Sequence, residues 1–182
     1  MSQDVIDRTT SLLQGFDARV QAAPADSWSN PAPCDGWVAR DVVTHVGNNL
    51  LGLGAALTGG EGRQIADDED IVAAWNEARE LFTTGLTTGD LSATIPGPFG
   101  PMPAEQLIGR FVATDLLVHT WDLARAVGGD ETLPTDVVEN AYSGLKPMEA
   151  MIRRPGVFGP AVPAPEGADL QTEFLCFLGR PV

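Results

Sequence analysis

Apolar residues recur at helical spacing along most of the chain, and the interruptions between those stretches are rich in proline and glycine. Val5, Leu12, Leu13, Phe16 and Val20 mark a first amphipathic helix over 2–22. A second runs from about Ala39 to Leu57, with Val42, Val46, Leu50, Leu53 and Leu57 on one side. Ile71, Val72, Trp75, Ala78 and Phe82 form the apolar stripe of a third, over about 69–88. A fourth starts near Pro103, a residue suited to a first helical turn, and stops at Gly128–Gly129. A further helix begins at Pro134–Thr135 and ends before the irregular stretch RRPGVFGPAVPAPEGAD. QTEFLCFLGR then reads as a short apolar helix that docks on the body.

The connections fit this division. AAPADSWSNPAPCDGW (22–37) and TGGEGRQIADDED are loops, and SATIPGPFGPMP (92–103), with four prolines and two glycines, must be an extended crossing. No stretch carries a strand pattern. The chain therefore predicts an all-α fold, a four-helix bundle with an extra helix and a C-terminal strap. It forms one domain over 1–182, bundle to about 152 and strap from about 153.

Composition narrows the function classes. A net charge of −14 on 182 residues repels nucleic acid and anionic membrane surfaces alike. An apolar content of 43% and a mean hydropathy near zero suit a folded soluble protein. The start, MSQDVIDRTTSLLQGF, has no apolar run of signal-peptide type, and no stretch reaches the ~20 apolar residues of a membrane span, so a cytoplasmic location is expected. Cys34 and Cys176 are the only cysteines and lie far apart, which indicates neither a disulfide framework nor a cysteine-based zinc knot. Ten of the eleven basic residues are Arg, a bias that points to a GC-rich bacterial genome.

The fourth helix carries the chemistry. In DLLVHTWDLARAVG (115–128), Asp115, His119 and Asp122 stand four and three residues apart, on one stripe shared with Ile108, Phe111 and Ala126. An unpaired carboxylate on a buried stripe costs several kcal/mol, so three ionisable groups there need a shared partner. The other histidine, His45, shares its face of the second helix with Asp41, Asn49, Gly52 and Ala56, small or polar residues that leave space beside it. Facing helices with inward His and carboxylate groups are one way bundles build metal sites. Two His and one carboxylate match catalytic zinc sites and also suit non-haem iron. A bundle histidine is also often a plain hydrogen-bonded core residue, and the pattern alone leaves both readings open. Of the two aspartates, Asp115 is the better placed ligand. Asp122 has two alternatives, a surface ion pair with Arg125 three residues on, or an acceptor that orients a histidine. Trp37 and Cys34 read as packing residues, although Trp37 could line a pocket mouth and Cys34 could be a reactive thiol near a helix start.

NPAPCDGWVARDVVTHVGNNLLG (30–52), PGPFGPMPAEQLIGRFVATDLLVHTWDLARAVG (96–128) and RRPGVFGPAV…FLCFLGR resemble the mycothiol-dependent maleylpyruvate isomerase N-terminal family, within the DinB/YfiT-like superfamily. The resemblance covers nearly the whole chain and keeps the motifs in order. It implies a four-helix bundle with a divalent metal, zinc first and nickel or iron as alternatives, held by His45, Asp115 and His119. Glu is frequent at the first carboxylate position in isomerase-type members, where this chain has Asp115. It also implies a low-molecular-weight thiol such as mycothiol, in an actinobacterial type of host. The isomerases carry a further C-terminal domain that helps hold substrate, whereas these 182 residues run only as far as the strap. The expectation is therefore thiol chemistry of this kind, not turnover of maleylpyruvate itself.

Two functions follow as expectations. The first is a metal-dependent thiol S-transferase or isomerase-like enzyme, with Asp122, Asn49 and Arg125 as outer-sphere or substrate-contacting candidates. The second is a non-catalytic bundle that binds or senses a metal or small molecule. A small-molecule substrate and a thiol are the expected partners, with a homodimer left open. Arg40, Arg110 and Arg125 are the only basic residues near the motifs that could grip an anionic substrate.

Overall fold

Each long helix begins and ends where local chemistry allows it. The structure, a computed structural model, describes residues 2–153 and 158–182, so the centre of the RRPGVFGPAV motif, 154–157, lies outside the described residues. Helix α1 spans Ser2–Ala22, α2 Ala39–Thr58 and α3 Ile71–Thr88. Helix α3 starts at Ile71, the first residue of its apolar stripe and two residues after the expected 69, because the Asp70 carboxylate accepts from the backbone N–H groups of Val72 and Ala73 and caps it. Helix α2 opens with the Val38 N–H donating to the Asp41 carboxylate at 2.8 Å. Gly59, at φ 72°, closes α2 in the left-handed conformation that glycine takes without strain.

The 92–103 crossing is extended as expected, but it folds back on itself. Thr94–Ile95 (β1) and Met102–Pro103 (β2) pair antiparallel, a small hairpin that the sequence pattern did not suggest. The fourth helix is interrupted as well. Ala104–Leu107 (α4) passes through a π-helical turn, Ile108–Val112, into α5, Ala113–Val127. The extra residue in that turn shifts the helical phase, so Ile108 is core while Phe111 faces a cavity. The expected fifth helix is broken too: α6 (Thr135–Leu145) gives way to a 3-10 turn at Lys146–Met148 and a short α7, Glu149–Ile152. Pro147 has no N–H to continue the ladder.

Helices α1, α2, α3 and α5 form an all-α bundle of the DinB-like kind, around a core centred on Phe16, Trp75, Phe82 and Trp121. Helices α2 and α3 lie close because Gly54 and Gly85 meet there; a Cβ at Gly54 would come within 2.9 Å of the backbone of Leu81 and Phe82. Helix α8, Leu170–Phe177, docks against α6, burying Phe174 and Leu175. Among the described residues, no helix is long and apolar enough to cross a membrane.

Candidate metal centre and its cavity

The site forms where α2 and α5 cross beneath the loop 31–38. That loop is closed by the pairing of Pro31 with Val38 and by hydrogen bonds from Ala32 N–H to Trp37 O and from Trp37 N–H to Cys34 O. Gly36 makes the reversal at φ 75°. Asn30 donates to the Ala126 carbonyl at 3.0 Å, which ties the loop to the end of α5. The result is that Cys34 and Trp37 hang over the histidines.

His45 from α2 and Asp115 and His119 from α5 converge, offering ligand atoms that all lie within 4.8 Å of one another. His45 Nε2 and His119 Nε2 each stand 3.4 Å from Asp115 Oδ1. Asn49, one turn after His45, donates to Asp115 Oδ2 at 3.3 Å and lies 3.2 Å from His45 Nε2. The Trp37 ring stacks on His119 (5.8 Å between centroids, 17° between planes) and tilts over His45 at 5.1 Å. Trp37 is thus part of the site's wall as well as packed against the core.

The far side of His119 is built differently. Its Nδ1 lies 2.9 Å from Asp122 Oδ2, and Asp122 is fully buried. Arg180, following α8, grips the same carboxylate from Nε at 3.2 Å and from Nη2 at 2.7 Å. Cys34 Sγ lies 3.4 Å from Asp122 Oδ2. The surface pairing of Asp122 with Arg125 does not form: Arg125 binds Glu131 and lies over the Trp121 ring, outside the cavity. Sequence spacing favoured Arg125 because it is three residues away, whereas the true partner is 58 residues on. Only a buried carboxylate's need for a cation could have pointed to Arg180, without saying which cation.

These contacts set the charges. Burial alone would raise the Asp115 carboxyl, but the charge of His119 and hydrogen bonds from both histidines hold it well below the usual range. Burial likewise opposes the charged forms of His119 and Asp122. The attraction of Asp115 and hydrogen bonds to Asp115 and Asp122 still push His119 well above an ordinary histidine. His119 and Arg180 bring Asp122 down to about 2. An ionised Asp122 only accepts, so His119 Nδ1 carries the hydrogen between them, and with the ring neutral the Nε2 lone pair faces His45 and Asp115.

The donor set fits a small divalent cation. A charge-assisted N–H···O bond is typically about 2.7–2.9 Å long, so the two 3.4 Å separations are poor hydrogen bonds. Around a tetrahedral zinc with bonds of roughly 2.0–2.1 Å, neighbouring donors are about 3.3–3.4 Å apart. The three groups open onto a cavity of about 2100 Å³, walled by α2 from His45 to Ala56, by Ile95, Leu107 and Phe111, and by Arg153, Phe158 and Pro160. Among the described basic residues, Arg110, Arg153 and Arg180 reach this cavity. Arg40 does not; it donates to the carbonyls of Ala66 and Glu69.

Two histidines and a carboxylate thus converge at one cavity of a helical bundle whose fold is consistent with the DinB-like superfamily. The chain belongs to the mycothiol maleylpyruvate isomerase N-terminal domain family, whose sequence model matches residues 10–124. It is also similar to "Uncharacterized protein MT0763" of Mycobacterium tuberculosis (strain CDC 1551 / Oshkosh). A second relative is "Uncharacterized protein Rv0738" of Mycobacterium tuberculosis (strain ATCC 25618 / H37Rv). Each is 33% identical over 175 residues, with 92% of each chain covered. No solved structure matches the chain.

Proposed function

We propose that the protein binds a divalent cation, zinc first, through His45, Asp115 and His119, and works with a low-molecular-weight thiol of the mycothiol type as a thiol S-transferase or isomerase-like enzyme. The observation that carries this reading is the asymmetry of His119. One ring nitrogen is tied to a buried carboxylate, and the other is aimed at two further donors, Asp115 at 3.4 Å and His45 within 4.8 Å. Family membership supports the thiol. The cavity supports two reactants, because about 2100 Å³ exceeds the ~300–1,000 Å³ of an ordinary small-molecule site.

A bound divalent cation supplies Lewis acidity, which lowers the pKa of a thiol at neutral pH. The chain's own groups do the rest. Asp122 holds the His119 proton on Nδ1 and fixes the ring's orientation. Asn49 holds the second oxygen of Asp115, so that Oδ1 is the oxygen left facing the histidines. Trp37 covers both imidazoles and keeps water off that side. The apolar wall of Leu53, Ala56, Leu107 and Phe111 offers a substrate a dry surface beside the thiol.

The test is elemental analysis of protein purified without added metal, followed by a thiol-transfer assay with an electrophile, with and without chelator. One equivalent of zinc and chelator-sensitive transfer are expected. Metal that binds with no thiol reaction on any electrophile would leave a binding protein, and protein that takes up no divalent cation would remove the proposal.

A further inference from the structure

His119 is shared by two sets of potential ligands. One is the His45, Asp115 and His119 group; the other is Cys34, His119 and Asp122, whose ligand atoms also lie within 4.8 Å of one another. The second set has the sulfur, nitrogen and oxygen donors that zinc accepts, and its thiolate would favour soft cations. It already holds a cation. The Arg180 guanidinium donates to both oxygens of Asp122 and lies 3.6 Å from Cys34 Sγ.

We propose that Cys34, His119 and Asp122 form a second, thiolate-containing metal site which the Arg180 guanidinium occupies and so closes, directing a metal to the opposite side of the His119 ring. The exclusion follows from the chemistry of imidazole. A neutral ring has one lone pair, so a metal on the Asp122 side takes Nδ1 and sends the ring hydrogen to Nε2, where it blocks the His45 and Asp115 side. Arg180 prevents this in two ways. Its charge repels a second cation, and its two hydrogen bonds leave Asp122 able to hold the His119 hydrogen on Nδ1. The guanidinium is itself firmly placed. Arg180 N–H donates to the Leu175 carbonyl at 2.9 Å and Nη1 to the Leu178 carbonyl at 3.0 Å. Gly179 before it turns at φ 86°, and a Cβ there would lie 2.8 Å from the Pro160 carbonyl oxygen. Arg180 is therefore a positioning residue for the first site and the lock on the second.

The inference rests on the proposed metal site only for what it says about that site, and Co²⁺ separates the two. Titrate Co²⁺ into wild-type protein, Arg180→Lys, Arg180→Met, Arg180→Gln and the Arg180→Gln/Cys34→Ser double variant, with the fold checked by circular dichroism. Wild type and Arg180→Lys, which keep a cation in place, should show visible ligand-field bands with no thiolate-to-cobalt charge-transfer band in the near ultraviolet. Arg180→Met and Arg180→Gln should gain that band, and the double variant should lose it. Arg180→Gln keeps hydrogen-bond donors toward Asp122 and carries the test if Arg180→Met does not fold. A charge-transfer band in wild type that Cys34→Ser abolishes overturns the inference, as does a folded, charge-neutral variant that binds Co²⁺ without the band. If wild type takes up no Co²⁺ while Arg180→Gln binds it through Cys34, the proposed function falls and with it the directing role of Arg180, while the closed Cys34 site stands. Uptake by neither overturns both.

Discussion

The two sides of the His119 ring contrast sharply. On the Nδ1 side the contacts are short, 2.9 Å to Asp122 and 2.7 Å from Asp122 to Arg180, and the carboxylate has no exposed surface. On the Nε2 side the nearest oxygen is 3.4 Å away, and the side chains of His45 and Asp115 remain 36% and 30% exposed to the cavity. Here one side is complete within the protein, while the other gathers donors without joining them. The closed side is complete within the protein, and the open side is where the proposed cation would finish the set.

Substituting the two aspartates should pull these roles apart. Asp115→Asn is expected to give the largest effect, lowering zinc affinity by more than the ~10–100-fold of an outer-sphere change, since an amide is a poorer ligand than a carboxylate. Asp122→Asn should lower affinity within that ~10–100-fold range while costing about 3 kcal/mol of stability, because it leaves the buried Arg180 charge without its counter-ion. Competitive metal titration and urea denaturation read the two quantities separately. If Asp122→Asn empties the site and Asp115→Asn leaves it filled, the open and closed sides have been assigned the wrong way round.

The open side could be read in the sequence, and the closed side only in part. His45, Asp115 and His119 were legible because helical spacing is a local rule, and the scarcity of histidine left few pairings to consider. The order and extent of the long helices were legible for the same reason. Arg180 and Cys34 were not, because they meet Asp122 across 58 and 88 residues and nothing in local periodicity records such a meeting. Trp37 fits packing equally well by composition; its stacking over the histidines depends on how the 31–38 loop closes. The π-helical turn at Ile108–Val112 escaped because a single extra residue leaves an apolar pattern almost unchanged over so short a span.

Removing metal should have a smaller effect than breaking the closed side. The core around Trp75, Trp121, Phe16 and Phe82 contains no group from the open side, so chelation leaves the bundle folded. A ligand at 100 times its dissociation constant adds about 2.7 kcal/mol, and for a chain of this size each kcal/mol moves Tm by ~2–4 °C. Chelator should therefore lower Tm by roughly 5–10 °C with the helical signal intact below the transition. Loss of that signal at room temperature would show that the open side, too, is structural.

The finest separation comes from pH, because Asp122 and His119 titrate in opposite directions in metal-free protein. Asp122 is depressed to about 2 from an ordinary 3.8, burial being outweighed by His119 and Arg180. Its contribution is fully present above about pH 4 and is lost as pH falls through about 2. The stability gap between wild type and Asp122→Asn should therefore narrow on acidification from about pH 4 to about pH 2. His119 is raised well above 6.5, burial being outweighed by Asp115 and the hydrogen bonds to both aspartates. Its contribution is complete below about pH 6.5 and is lost as pH rises through the raised value, so the gap between wild type and Asp115→Asn should narrow on the alkaline side. Bound zinc reverses the alkaline arm only, since it needs the Nε2 lone pair that the proton occupies, and affinity should climb with pH until His119 is neutral. Urea midpoints across about pH 2–10, with and without zinc, measure each arm. An acid arm that zinc abolishes would mean that the cation reaches Asp122 and that the closed side is not closed.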